Sequence, residues 1–592
     1  MRLERKEVPY DHSQWSSDVP EIVQQIYANR GVTSPHDILK DPALLLNPRD
    51  MKGVDAAAEI IVDAIIHQKH ITIAGDYDCD GATGTTVGVK GLQLLGAQNV
   101  QFTIPNRDVH GYGLSVGLVE EMPQPTDLII TVDSGISSIE GVARAKELGY
   151  QVVVTDHHLP GDHLPNADAI VNPNQPGDTF PGKALAGVGV LFYTLLVVRA
   201  KLRERNHPGG TAPLFEELLP VVTIGTVADL VTLDQNNRIL VAGGLRLIQA
   251  GRMSIGIQEL LNSANKDPRY LTATDIAFGI APRLNAAGRL ADMTLGVKLL
   301  LTDSQEWARF YCEKLEGINA TRKEIQAEMV TSAEAIADKI PATRTKLVEV
   351  IEPAKPGEAP KPPKIVEKVV ESKGVVVFDK SFQGGIVGLV ASKLKESLNR
   401  PVIAFAPGPN GLVRGSARSI PGLHLRDALA LIDARHPGLL KKFGGHAMAA
   451  GMTIEEARID EFDEIFNDTI DTLLTPEMME AIVYSDGELN PVEMTVDFAK
   501  YLDTCGPWGQ GFPKPVFDGV FEIQEYRVLK DTHLKMSLHD TRQGDLYDAI
   551  WFFSYKGLPP PQRFRMAYEL DINRFRGRES VQLLVRLVEP LS

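Results

Sequence analysis

Residues 75–81 read Gly-Asp-Tyr-Asp-Cys-Asp-Gly, three carboxylates on alternate positions directly after the apolar run Ile71–Ala74. Carboxylates at that spacing repel and raise one another's pKa unless a cation shares their charge. The alternative for the stretch taken alone is an acidic surface turn, or an aspartate-rich helix cap that Asp80 could serve. Other apolar runs end in the same way. Leu128–Val132 leads into Asp133-Ser-Gly, Val152–Thr155 into Asp156-His157-His158, and Ala169–Val171 into Asn172-Pro-Asn174. Carboxylate oxygen and imidazole nitrogen suit Mn²⁺ or Mg²⁺ better than a thiolate-seeking metal. Asp229 closes a further run, Ile224-Gly-Thr-Val-Ala, where a helix cap is the competing reading. The segment Ala281-Pro-Arg283-Leu-Asn285-Ala-Ala-Gly-Arg289 reads as a donor-rich loop, for phosphate clamping or for structure alone.

These residues need elements to bring them together. The apolar runs, with Val100–Ile104 ending at Pro105-Asn106-Arg107, alternate with helical stretches at 82–95 and 139–148. That alternation predicts a parallel sheet buried on both faces, with ligands in the crevice beyond the carboxyl ends of the strands. A dinucleotide site is excluded, because the first strand is followed by acids where glycine amides would cradle a pyrophosphate. Bare carboxylates repel phosphate, so a phosphate substrate needs cations between.

A second α/β unit begins at Gly374-Val-Val-Val-Phe378 and includes Pro401–Ala406, Gly415-Ser416-Ala-Arg418 and Phe443-Gly-Gly-His446. Glycines there let backbone approach a ligand, while Ser416, Arg418 and His446 offer donors. A structural histidine at a helix start is the alternative for His446. Residues 304–339 read as one long bridging helix, and 352–364, with five prolines, as an extended or disordered loop. The last hundred residues are strand-rich and suggest a small β-barrel. Trp508, Phe512 and Phe517, near Lys514, Arg527 and Lys535, would stack single strands or fill the core.

At 592 residues, 43% hydrophobic and 23% charged, the chain holds several globular domains. Its start lacks an apolar signal core, and the apolar stretch 184–198 reads as a buried helix too short to span a bilayer. Three scattered cysteines fit a reducing cytoplasm. The net charge of −16 conceals a basic segment: residues 381–450 carry nine Lys/Arg against three acids.

The ordered motifs Asp76-Tyr-Asp78-Cys-Asp80-Gly, Thr131-Val-Asp133-Ser-Gly, Thr155-Asp-His157-His158 and Gly225-Thr-Val-Ala-Asp229 resemble those of the DHH phosphoesterase superfamily. Asn106-Arg107 with Gly111-Tyr112-Gly-Leu, and Pro282-Arg-Leu-Asn-Ala-Ala-Gly-Arg289, narrow the resemblance to RecJ-type exonucleases. Gly415-Ser-Ala-Arg-Ser and Gly444-Gly-His-Ala-Met-Ala-Ala-Gly resemble the family's DHHA1 lobe. Gly506-Pro-Trp508-Gly-Gln-Gly-Phe-Pro resembles the entry to its OB-fold. The resemblance implies two α/β lobes, DHH and DHHA1, joined by a long helix and followed by a C-terminal OB-fold barrel. The expected divisions are a helical lead-in (1–50), DHH (51–300), connecting helix (301–340), Pro-rich loop (341–373), DHHA1 (374–485) and OB-fold (486–592).

By the same resemblance the activity is two-metal hydrolysis of single-stranded DNA from its 5′ end in recombination and repair, in the cytoplasm. Asp76, Asp78, Asp80, Asp133, His157 and Asp229 would hold two Mn²⁺ or Mg²⁺ ions, with Asp133, His157 and His158 catalytic. Arg107, Tyr112, Arg283, Asn285, Arg289, Ser416, Arg418, His446 and Trp508 would contact DNA. A single-stranded-DNA-binding protein and a helicase are the implied partners. One departure stands out: Phe382-Gln383 replaces the family's usual Trp-His, removing a titratable group. The rival readings are a small-substrate DHH phosphodiesterase, which needs no OB-fold, and an inactive DNA-binding scaffold, which would have lost metal ligands.

Overall fold

β-Branched and apolar runs too short for helices form the central sheet. The computed structural model describes residues 1–350, 364–542 and 544–591. The proline-rich stretch expected to be a loop at 352–364 lies, save Lys364, outside the described residues. The chain divides into two units, Leu3–Asn319 with Val483–Ser592, and Ala320–Ile482 with Met1–Arg2.

In the first unit, β1 (Ile71–Ala74), β2 (Val100–Thr103), β3 (Leu128–Val132), β4 (Gln151–Thr155) and β5 (Ala169–Val171) make a parallel sheet in the order β2-β1-β3-β4-β5. β1 and β3 are buried along their whole length, as a sheet covered on both faces requires. Ala74 pairs with Thr131, and Val132 with Thr155, so the acidic segments after β1, β3 and β4 emerge side by side.

Three helices bear on these ends: α1 (Cys79–Leu94), α2 (Gly187–Glu204) and α3 (Leu214–Ala228). α2 includes most of the apolar stretch expected to be a buried helix. Residues 281–289, expected to be a loop, form helix α4 (Ala281–Leu290) instead. Pro282 sits in its first turn, where proline is pre-organised, and Leu284, Ala286 and Ala287 bury one face. Among the described residues, no helix is long and apolar enough to cross a membrane.

Helix α5 (Gln305–Ala337) carries the chain into the second unit. There β6 (Thr343–Val350) and β7 (Lys364–Glu371) pair antiparallel, within a stretch read from sequence as loop. The five-stranded sheet β11-β12-β10-β9-β8 comprises β8 (Val375–Phe378), β9 (Val402–Pro407), β10 (Leu412–Arg418), β11 (Lys442–Gly445) and β12 (Ala449–Glu455). Helix α6 (Val387–Leu398) packs on β9 and β10.

The C-terminal strands close into a barrel in the order β13-β14-β15-β17-β16, from β13 (Phe517–Leu529), β14 (His533–Asp540), β15 (Leu546–Trp551), β16 (Arg563–Phe575) and β17 (Arg578–Pro590). β15 and β17 pair parallel and the other ladders antiparallel. This is the five-stranded OB architecture. Burial alternates strictly along β14, one face to the core and one outward.

Candidate metal centre

The turn after β1 delivers Asp76, Asp78 and Asp80 to one place. Asp78 caps α1, its Oδ1 accepting from Gly81 N at 3.0 Å, so the cap expected of Asp80 belongs to Asp78. Asp80 faces the start of α2, where Gly187 N and Val188 N donate to its two oxygens at 2.7 and 2.9 Å. A carboxylate at a helix N-terminus meets unpaired amides and the positive end of the dipole. Asp133, first after β3, holds a left-handed φ of +59°. That costs a non-glycine residue on the order of 1 kcal/mol and aims its carboxylate into the cluster.

His157 and His158 follow β4. Asn174 and Asn172, beyond β5, donate to their backbone carbonyls at 2.6 and 2.9 Å. His157 Nε2 lies 3.1 Å from Asp133 Oδ1, 3.5 Å from Asp229 Oδ2 and 3.9 Å from Asp80 Oδ2. Asp229 is the C-cap of α3 rather than a strand-end residue.

Three overlapping groups therefore have ligand atoms mutually within 4.8 Å: Asp76/Asp78/Asp133, Asp80/His157/Asp229 and Asp133/His157/His158. All six residues expected as ligands fall in these groups, and Asp133 belongs to two of them. The electrostatics favour cations. Burial first, and then the neighbouring carboxylates, hold Asp76, Asp133 and Asp229 well above the usual carboxylate range. Asp80 is pushed up to about 7 by burial and by Asp78, against the two amides of α2. A shift of that size is on the order of 4 kcal/mol against the charged form. The buried Asp76 Oδ1 and Asp133 Oδ1 accept no hydrogen bond among the described residues. Hard oxygen donors, orphaned and crowded, fit divalent Mn²⁺ or Mg²⁺.

His158 is set differently. Its Nδ1 lies 2.8 Å from Asp156 Oδ1 and 3.0 Å from the Tyr112 hydroxyl, which also donates to Asp133 O at 3.0 Å. Burial opposes the imidazolium, but the hydrogen bond to Asp156 and its charge outweigh burial and push His158 up to about 9. Asp156 is fully buried and accepts from Ile136 N, His157 N and His158 N besides. Sequence reasoning assigned it no role, although its place beside two histidines was the available signal. Gly187 was missed as well.

The expected DNA contacts divide. Arg107 stacks over Tyr77 at 4.0 Å and donates to Gly288 O at 3.3 Å, beside the acidic turn. Asn285 Oδ1 accepts from Cys79 N at 2.8 Å, bracing that turn, and Arg289 occupies the last turn of α4. Arg283 corrects its expectation as a phosphate clamp: its guanidinium is tied to Glu316 at 2.6 Å, Ser263 Oγ at 3.1 Å and Gly279 O at 2.6 Å. Trp508 corrects the stacking platform. It is buried on Phe512, rings 5.2 Å apart, and donates to Leu502 O. Phe512 and Phe517 are also buried, because apolar rings beside the barrel are needed as core.

One outward group of basic and aromatic residues on the barrel lies at the β16–β17 hairpin tip, Arg574-Phe575-Arg576-Gly577-Arg578, where Phe575 is 63% exposed. Arg574 also covers the Tyr270 ring at 4.3 Å.

In the second unit, Arg418 donates to Ser416 Oγ at 3.0 Å and Ser392 Oγ at 3.1 Å. Burial lowers the Arg418 pKa. A Cβ on Gly388, at the start of α6, would meet Arg418 Nη2 at 2.9 Å. His446 lies exposed in the β11–β12 turn rather than at a helix start, its backbone N donating to Ala449 O.

The chain matches the models of the DHH family, N-terminal domain over residues 70–226, the DHHA1 domain over 370–472 and the RecJ OB domain over 485–586. It is 42% identical to the single-stranded-DNA-specific exonucleases RecJ of Escherichia coli and Salmonella typhimurium, over 100% of this chain and 99% of theirs. Among solved structures it is similar to Thermus thermophilus RecJ in complex with Mn²⁺. There the TM-score is 0.79 at 27% identity, over 100% of this chain and 80% of that one. A chain that follows two enterobacterial relatives from end to end, and carries the three domain models in order, belongs to the RecJ family.

Proposed function

We propose that the protein is a single-stranded-DNA-specific exonuclease that hydrolyses phosphodiester bonds from the 5′ end, with two Mn²⁺ or Mg²⁺ ions as cofactors. The observation that carries this reading is a chain of shared ligands: Asp133 belongs both with Asp76 and Asp78 and with His157 and His158, and His157 belongs in turn with Asp80 and Asp229. Such ions supply neutralisation of phosphate charge and activation of water.

The chain's own residues do the rest. Asp133, fixed by its left-handed backbone and by Tyr112 on its carbonyl, holds the two groups together. His158, kept cationic by Asp156, presents a proton donor to a phosphate oxygen. Arg107 adds positive charge at the rim of the acidic turn, and Asn285 keeps that turn in register. In the second unit, Ser416 and Arg418 form a half-buried corner suited to a phosphate. The hairpin tip Arg574–Arg578 supplies charge and an exposed ring for the strand. The 5′-to-3′ direction, and a single-stranded-DNA-binding protein and helicase as partners, are supported by the motif resemblance.

The test is digestion of matched 5′- and 3′-labelled oligonucleotides with Mn²⁺, with and without a complementary strand. The reading expects immediate loss of the 5′ label from single strands and protection by the complement. Attack from the 3′ end, or equal digestion of duplex, would contradict it.

A further inference from the structure

An apolar cavity of about 190 Å³ is lined in part by residues that flank Asp229 in the chain. Thr226 near the end of α3, Leu230 and Leu233 just beyond it, Phe278, Trp508 and Gln510 line it. Asp229 stands in the chain between Thr226 and Leu230, and its carboxylate reaches His157.

Three features separate this cavity from an ordinary packing gap. Phe278 and Leu230 are 81% and 64% exposed, large apolar chains left in water at its walls. Leu230 holds a left-handed φ of +58°, a conformation that leucine rarely adopts. Thr226 is fully buried, yet its hydroxyl has no hydrogen-bond partner among the described residues. Helical threonines normally satisfy that group on the carbonyl four residues back, as Thr83, Thr85, Thr86 and Thr194 do here at 2.8–2.9 Å. Thr226 does not, and it brings the cavity a hydroxyl that can donate or accept.

We propose that this cavity receives one nucleobase of the single strand, from a nucleotide next to the phosphate being cut. A base offers an apolar face to Phe278 and Leu230 and a polar edge to Thr226. A single hydroxyl reads any base edge equally well, so the pocket tolerates sequence. The cavity takes one ring system and no base pair. A paired base must first leave its partner, which favours single strands. The inference rests on the ligand cluster being the place of strand cleavage, and the experiment separates the two.

Full-length wild type and the Phe278→Ala and Thr226→Val variants are given Mn²⁺ and a 5′-labelled single strand. Parallel strands carry one abasic nucleotide, stepped through successive positions. On the intact strand the wild type is expected to digest steadily, and on each abasic strand to slow about tenfold at one fixed distance from the lesion. Phe278→Ala is expected to slow about tenfold on the intact strand but to show no further pause at the lesion, since both changes remove the same contact. Thr226→Val, near-isosteric, is expected to slow several-fold with unchanged Mn²⁺ affinity. Absence of a wild-type pause, or losses that multiply in Phe278→Ala, would overturn the base pocket while leaving cleavage intact. Failure of the wild type to cut the intact strand would overturn the reading beneath it as well.

Discussion

A Cβ added to Gly187 would lie 2.5 Å from the Cβ of Asp133. The first residue of α2 is therefore packed against the shared ligand of the cluster, while its amide holds Asp80. Gly187→Ala must displace Asp133 or tilt the helix. We expect a stability loss of about 1–3 kcal/mol from overpacking and a loss in activity of about 100-fold from misplacing the ligand. Thermal melts and Mn²⁺-dependent nuclease assays on the purified variant check this. Near-wild-type rates would show that Asp133 has room the structure denies it.

Removing metal should invert the usual acid sensitivity. Asp76, Asp80, Asp133 and Asp229 titrate above the unfolded carboxylate value, Asp80 at about 7. Between about pH 4 and pH 7 the native metal-free protein thus holds protons that the unfolded chain has released. Stability from these groups is present at low pH and is lost as pH rises through that window. Divalent ions compete with the same protons, so their stabilisation grows with pH. Melting temperatures in chelator and in saturating Mn²⁺, across that range, measure both trends. An equal Mn²⁺ shift at all pH values would count against cation binding by these acids.

Asp156 acts through His158. Asp156→Asn removes the charge that holds His158 near 9, so the alkaline limb of the pH–rate profile is expected to move down by about one unit or more. A merely structural role would lower the whole profile without moving the limb. The pH–rate profile of the variant distinguishes these outcomes.

The hairpin tip makes a prediction about salt. Neutralising Arg576 and Arg578 to Gln should remove about two phosphate contacts and reduce the slope of log affinity against log salt by about 1.4 on long single strands. Binding titrations over a range of salt measure it. An unchanged slope would remove the tip from the strand's path.

Much of the site was legible because strand ends are. β-Branched runs betray parallel strands, and acids at their carboxyl ends have few other reasons to be there. Arg283 and Trp508 were not legible. An arginine in a donor-rich segment reads as a clamp until Glu316, 33 residues on, is found holding it. A tryptophan beside basic residues reads as a platform until Phe512 covers it. Gly187 gave no local signal, since its constraint comes from Asp133, in the turn after β3 and distant in the chain. The Asp80 cap was misread because Asp78, two residues earlier, takes that duty and frees Asp80 for α2.

The central claim is that Asp133 unites two cation sites. The most direct measurement is the stoichiometry and electron paramagnetic resonance of Mn²⁺ bound to metal-free wild type and to Asp133→Ala. Two ions per wild-type chain with a spin-coupled signal, and loss of that coupling in the variant, is the predicted result. A single uncoupled ion in the wild type, or the same coupled pair in Asp133→Ala, would contradict it.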